Sequence, residues 1–395
     1  MTYSTARLKQ QAEHIVLLPL VWLGRLIGLL KKAPDNEGIF LIYPNRDTGG
    51  SYKVNADIAA LLKDKKPLVI FTKKALNGGY QHLFELPGVN ILDINRLIDN
   101  KYIHFLNVIW RGIISQWIKQ HKKPVVFGGE CIFFYKLVPH VYKTARCIEL
   151  CHVNKWLNYT QAFAPFIHYR VFSTQKILRD HAKQYDTNGV PDYLKDRLIF
   201  IDNKIEMPQQ HWEEHEHLQV LFVGRGAPQK RVHLIVAIAE KVKQLRPEIG
   251  FTLVGDVEAL VPENVKQLIT IRTDINKASL LQPLYQAHDV LLLTSLFEGL
   301  PIVVMDMMAQ GRVVLSTAVD GIPDYIKHMN NGLLINAVEN EDEVVRQGVE
   351  WILQLDEDRQ LLRKLSGAAR AFAVKQFSGS AFDENYLKLF KSNNN

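Results

Sequence analysis

From residue 38 onward the chain alternates short apolar runs with amphipathic stretches. GIFLIYP (38–44), PLVIFTK (67–73), VNILDI (89–94), KPVVFGG (123–129), RCIELCH (146–152) and YRVFST (169–174) have the length and β-branched content of buried strands. VNADIAALLKDK (54–65) and VIWRGIISQWIKQH (108–121) carry apolar residues at helical spacing, and DTGGSY (47–52) reads as a glycine loop. Strands that alternate with helices predict a parallel sheet covered on both faces.

The segment 203–217, NKIEMPQQHWEEHEH, is polar and aperiodic and reads as a linker. The alternation then restarts. Strands are predicted at 218–225, 250–256, 268–273, 289–295, 312–317 and 332–337, with helices at 231–245, 277–287 and 301–310. The fold class is therefore α/β, with two Rossmann-like domains whose parallel sheets are expected to face each other across a cleft. In open sheets of this kind ligands bind beyond the carboxyl ends of strands, beside helix N-termini. The chain is also too long for one ordinary core, which agrees with two domains.

Residues 15–30 form an apolar run broken only by Pro19, Gly24 and Arg25, and Lys31 and Lys32 follow it. The run is shorter than the ~20 residues a bilayer span needs, and no small-residue cleavage site follows it. Residues 1–33 hold five basic side chains and one acidic one. The segment is read as lying on an anionic membrane face through residues 15–32; packing on its own domain is the competing reading.

Charge and cysteine content narrow the partners. The net charge of +7 favours anionic partners such as nucleotide diphosphates or acidic lipids. No aromatic-interleaved basic motif is present, so nucleic acid is not expected. Three cysteines, Cys131, Cys147 and Cys151, point to a reducing compartment without a disulfide framework. Cys147, Cys151 and His152 could be read as metal ligands, but small residues around a buried strand explain them better. The one Asp-x-Asp pair, Asp356 and Asp358, lies in a helical pattern and reads as a solvated acidic face. No metal site is expected.

Two stretches carry chemistry. LFVGRGAPQKRVHLI (221–235) is a strand, a glycine turn and a helix, with Arg225 at the strand end and Lys230 at the helix entry. Two cations beside free helix amides suit a diphosphate; solvated surface cations are the alternative. SLFEGLPIVVMDMMAQG (295–311) places Glu298 in a loop, Pro301 in the first helical turn and Asp306 inside the helix. Glu298 can accept hydrogen bonds from sugar hydroxyls. Asp306 tilts back towards the helix start, where it could meet a ligand, or else it bonds to protein groups in the core. TGGS (48–51) and the strand-end His152 are weak signals on their own.

Taken together, LFVGRGAPQKRVHLIVAIAE, FTLVGD, LYQAHDVLLLTSLFEGLPIVVMDMMAQGRVVLSTAVDGIPDYI and NGLLI resemble the second domain of the retaining family 4 glycosyltransferases of GT-B fold. The first half matches through TGGS, His152, VFSTQKILRD with Ser173, and FIDNKIE (200–206). The resemblance implies transfer of a hexosyl unit from a nucleotide diphosphate sugar, foremost a UDP-sugar, with retention and without a metal or other cofactor. It implies Glu298, His152, Arg225 and Lys230 as catalytic residues. Gly49, Gly50, Gly224, Gly299, Leu300 and Asp306 would line the donor, with Asp306 on the ribose. Three positions depart from the pattern: Asp306 stands for the usual glutamate, Lys204 for glycine and Gly379 for tryptophan.

The expected organisation is a membrane-facing segment (1–33), an acceptor-side domain (34–205), a nucleotide-sugar domain (206–375) and a C-terminal helix (376–395) that crosses back to the first domain. The expected activity is glycosyl transfer to a glycan or lipid-linked acceptor in cell-envelope polysaccharide synthesis, in the cytoplasm or on the inner face of the membrane. A non-catalytic glycan- or nucleotide-binding protein on the same fold, and a nucleotide-sugar epimerase or hydrolase, are the alternatives.

Overall fold

A computed structural model describes residues 1–47, 49–76, 78–152, 157–209, 215–273 and 278–391. The chain divides into two compact units, one made of residues 1–202 with the chain after Ser380, the other of Asn203–Ser380. Thr48 of the glycine loop, the middle of the 203–217 segment and the terminal SNNN lie outside the described residues.

The first unit is built on seven strands: β1 Ile39–Tyr43, β2 Leu68–Phe71, β3 Asn90–Asp93, β4 Val125–Gly128, β5 Arg146–Cys151, β6 Tyr169–Phe172 and β7 Leu198–Phe200. They pair in the order β3-β2-β1-β4-β5-β6-β7, and every pairing is parallel. β1, β2 and β4 are buried at every residue, because helices cover both faces. The apolar runs predicted six of these strands. β7 escaped because it is three half-buried residues long and sits between Arg197 and Asp202.

The second unit holds β8 Gln219–Val223, β9 Gly250–Val254, β10 Thr270–Arg272, β11 Val290–Leu293, β12 Val313–Thr317 and β13 Leu333–Ile335. Their order is β10-β9-β8-β11-β12-β13, again all parallel. All six coincide with predicted strands. Each sheet reverses its strand order once, between β1 and β4 in the first and between β8 and β11 in the second.

Three local expectations need correction. The helix expected at 54–65 runs Gly50–Leu61, because Gly49 takes φ +149°, open to glycine, and turns the chain directly into it. Residues 63–65 form a separate 3₁₀ turn. Pro301 caps the helix Ile302–Ala309 from outside its first turn, with ψ 136°. Asp356 and Asp358 are not a free acidic face. Asp356 accepts from the Leu218 amide at 3.3 Å and from Arg359 at 3.0 Å, and Asp358 caps the helix Arg359–Phe377 through the Leu361 amide at 2.9 Å.

The N-terminal run is a helix, Tyr3–Leu30, long and apolar enough to cross a membrane. One face packs on the helix Phe105–Lys119 of the same unit. Glycine makes the approach possible: a Cβ on Gly24 would meet the Ile109 carbonyl oxygen at 2.1 Å, and one on Gly112 the Val21 carbonyl oxygen at 2.2 Å. Trp117 donates its indole N–H to the Lys31 carbonyl at 2.7 Å. At the other end of the chain, the helix Gly379–Phe390 sets Tyr386 and Phe390 within 6.1 and 5.4 Å of the Phe127 ring on β4.

Candidate functional site

The second sheet offers its switch point at the carboxyl ends of β8 and β11, and both chemistry-bearing stretches emerge there. After β8 the chain must turn sharply against β9. Gly224 donates to the Val254 carbonyl at 3.0 Å, and Gly226 donates to Asp256 Oδ1 at 2.7 Å. A Cβ on Gly255 would lie 1.9 Å from the Gly224 carbonyl oxygen, and one on Gly226 would lie 2.3 Å from that of Asp256. Only glycines allow two backbones this close. A 3₁₀ turn, Pro228–Lys230, follows, and Arg231 at φ +46° starts the helix Val232–Leu245.

Three cations within seven residues meet three fates. Arg225 stands exposed at the strand end. Arg231 is buried and serves the fold, donating to the carbonyls of Thr294 at 2.7 Å, Val338 at 2.7 Å and Ser295 at 3.3 Å. Lys230 turns to the loop after β11 and forms an ion pair with Glu298 Oε1, the two side chains being 13% and 8% exposed.

The Glu298 loop is held from several directions. Ser295 donates its hydroxyl to Glu298 Oε1 at 2.6 Å. The Glu298 amide donates to Asp320 Oδ2 at 2.8 Å. Gln229 donates to the Phe297 carbonyl at 2.6 Å, and the Leu296 amide to the Gln229 carbonyl at 2.9 Å. The hydroxyl of Thr294 ties this strand end back to the carbonyls of Lys230 at 3.1 Å and Arg231 at 3.0 Å. Gly299 and the buried Leu300 lead into the helix Ile302–Ala309, whose first amides have no acceptor within the helix. Asp306 is its fifth residue and is half-buried. The result is a sheet edge with one exposed guanidinium, one paired ammonium, an anchored carboxylate and a helix N-terminus. Such an edge can hold a diphosphate and accept hydrogen bonds from hydroxyls.

The remaining predicted residues lie in the first unit. Gly49 and Gly50 open the helix that follows β1, at the switch point of the first sheet. His152 ends β5. Its amide donates to Glu130 Oε1 at 2.8 Å, its Nε2 is closed off without a hydrogen-bond partner among the described residues, and burial lowers its pKa to about 4. It is therefore neutral at pH 7. The Cys147–Cys151–His152 stretch belongs to the core. Burial pushes both thiols up, and Cys151 donates to Glu149 at 3.3 Å. Sequence reasoning passed over Ser295, Asp256 and Asp320, which position Glu298 and the glycine turn. Asp256 was within reach, since it ends the quoted FTLVGD run.

Residues 217–354, inside the second unit, match the family model described as Glycosyl transferases group 1. The chain is 24% identical over 292 residues to the poly(ribitol-phosphate) alpha-N-acetylglucosaminyltransferase of Staphylococcus aureus, covering 71% of this chain and 57% of that one. It is 31% identical over 182 residues to an alpha-1,4-N-acetyl-D-galactosaminyltransferase of Campylobacter jejuni whose name includes a diNAcBac-PP-undecaprenol acceptor, covering 45% and 48%. The chain spans about half the length of the curated relatives it matches. Among solved structures it superposes on Anabaena HepE in complex with UDP and glucose with a TM-score of 0.70 at 15% identity, covering 91% of this chain and all of that one. On the pneumococcal O-GlcNAc transferase GtfA in complex with UDP and GlcNAc the TM-score is 0.71 at 12% identity, covering 90% and 100%.

The chain resembles the GT-B glycosyltransferases. The fold likeness spans nine-tenths of it. The family-model match falls within the second unit, where the turn after β8 and the Glu298 loop both lie inside the matched residues.

Proposed function

We propose that the protein is a retaining glycosyltransferase that moves a hexosyl unit from a nucleotide diphosphate sugar, foremost a UDP-sugar, to a hydroxyl of a glycan or lipid-linked acceptor in cell-envelope polysaccharide synthesis. The observation that carries this reading is the Lys230–Glu298 ion pair at the switch point of the second sheet, with Arg225 exposed beside it. A diphosphate arriving there meets Lys230 and Arg225. As the glycosidic bond breaks, negative charge grows on the leaving phosphate. The two cations and the amides at the start of the helix Ile302–Ala309 stabilise that charge, so this reading needs no metal. Glu298, relieved of its lysine, accepts from sugar hydroxyls. Gly224, Gly299 and Leu300 let the backbone close on the donor, and Asp306 takes the ribose. The acceptor hydroxyl attacks on the face the diphosphate leaves, and the leaving phosphate takes its proton.

The first unit is assigned the acceptor. Gly49 and Gly50 give backbone access, and His152, neutral through burial and with an unpartnered Nε2, is assigned a hydrogen bond to a sugar hydroxyl, which requires its ring to be uncovered when substrate binds. The exposed apolar face of residues 15–32 is assigned to an anionic membrane on the cytoplasmic side. The names of the relatives, which include polymer and polyprenol-linked acceptors, support this placement.

The test is incubation of the purified protein with UDP-, GDP- and ADP-sugars, with and without chelator and with and without lipid-linked acceptors, followed by nucleotide release. Release that depends on acceptor, persists in chelator and yields the α-product from an α-donor is expected. Equal release without acceptor would make it a hydrolase, and binding without release a non-catalytic protein.

A further inference from the structure

The face of the N-terminal helix turned away from the helix Phe105–Lys119 is open and apolar. Ile15, Val16, Trp22, Leu23, Leu26 and Leu30 recur at helical spacing and are 46–90% exposed. Beside this stripe lies a cavity of about 640 Å³, bounded by the first half of the N-terminal helix, the end of Phe105–Lys119 and the turn at 139–144. Its lining includes Arg7, His14, Lys119, His140 and Lys143, and no aspartate or glutamate. The rings of His14 and His140 stack with centroids 4.5 Å apart. Ile15 belongs both to the stripe and to the cavity wall.

Arg7, Lys119 and Lys143 set three cations around one opening with no carboxylate in its lining, an arrangement that suits an anion. The two stacked histidines add neutral rings rather than charge. Burial, then His14, Arg25, Arg111 and Lys119, bring the His140 pKa down to about 3. Burial, then Arg25 and Arg7, lower that of His14. The neighbouring acid, Glu13, is occupied by Lys136.

We propose that this cavity binds the phosphate group of an anionic membrane lipid while the adjoining stripe beds in the acyl region. The inference rests on the reading of residues 15–32 as membrane-facing and adds a specific headgroup site to it. The volume is that of a small-ligand pocket and far above the ~30 Å³ share of one water. The charge is complementary to phosphate. Ile15 makes the path from headgroup to acyl chain continuous.

The experiment uses the full chain and vesicles of phosphatidylglycerol or phosphatidylcholine in co-sedimentation. Three pairs of substitutions are compared: Lys119→Gln with Lys143→Gln in the cavity, Leu23→Ser with Leu26→Ser on the stripe, and Lys241→Gln with Lys364→Gln on the exposed surface of the other unit. At about fivefold per basic residue near an anionic surface, the cavity pair should weaken phosphatidylglycerol binding ten- to thirtyfold and leave phosphatidylcholine binding unchanged. The stripe pair should weaken both, and the control pair less than twofold. A cavity pair that behaves like the control overturns the headgroup site while the membrane reading stands. Wild-type protein that sediments with neither vesicle overturns the membrane reading itself. Soluble glycerol 3-phosphate is the last arm: if it shifts the His14 and His140 resonances while phosphatidylglycerol vesicles do not, the site takes a free phosphate ester and the lipid assignment falls.

Discussion

Replacing Lys230 by methionine removes the ammonium and keeps most of the apolar stem in place. The side chains of Lys230 and Glu298 are 13% and 8% exposed, so little water screens the pair. Two unit charges ~4 Å apart at an effective dielectric of 20 attract by about 4 kcal/mol. Breaking a buried pair from one side costs about 3–5 kcal/mol, because a desolvated charge is left behind. Glu298 keeps the Ser295 hydroxyl at 2.6 Å, a charged hydrogen bond of about 1.5–3 kcal/mol. The net loss should therefore fall at about 2–3 kcal/mol, a drop of about 5–10 °C in the melting of the second unit. Adding Glu298→Gln removes the stranded charge and should recover most of that stability. Activity should follow a different course. Loss of one preorganised donor to the leaving diphosphate is worth about 2.7–4 kcal/mol in the transition state, or 10²–10³ in kcat/KM, and the double variant should not regain it. Differential scanning calorimetry and initial rates with the donor identified by nucleotide release give the two readouts. A variant that melts early but keeps kcat/KM within tenfold of wild type would confine Lys230 to a structural role.

Other perturbations follow from the core. Arg170 and Glu149 form a fully buried pair at 2.5 Å, joined by Tyr135 and Thr160; Arg170→Met should cost about 3–5 kcal/mol in urea unfolding, and a loss under 1 kcal/mol would show that the network relaxes freely. Gly24→Leu drives a side chain into the Ile109 carbonyl and should free the N-terminal helix, read as new proteolysis within residues 3–30 with the second unit still folded. Acid should destabilise the first unit. His152 and His140 have pKa values of about 4 and about 3 when folded against about 6.5 when unfolded. Between those limits the unfolded chain binds protons that the folded one does not, so stability falls as pH drops below 6.5. At pH 5 each histidine accounts for about 2 kcal/mol, and a urea midpoint that does not move between pH 7 and pH 5 contradicts the burial argument.

The sequence by itself determined the alternation of strands and helices, the restart after residue 217, and the loops in which Arg225, Lys230 and Glu298 fall. These are local matters: side-chain periodicity, glycines at tight turns, a proline at a helix start. It could not rank the cations. Arg225, Lys230 and Arg231 are nearly neighbours in the chain, yet one is exposed, one paired and one buried on carbonyls. That outcome depends on β8 lying beside β11, a pairing between segments some seventy residues apart. The same holds for Glu149 and Arg170, which meet only because β5 and β6 are in register, and for the N-terminal helix. Its apolar run was legible, but only the glycine crossing at Gly24 and Gly112 decided which face is covered and which is left open. Periodicity tells a chain which residues to bury; the order of strands in a sheet decides which charges they find there.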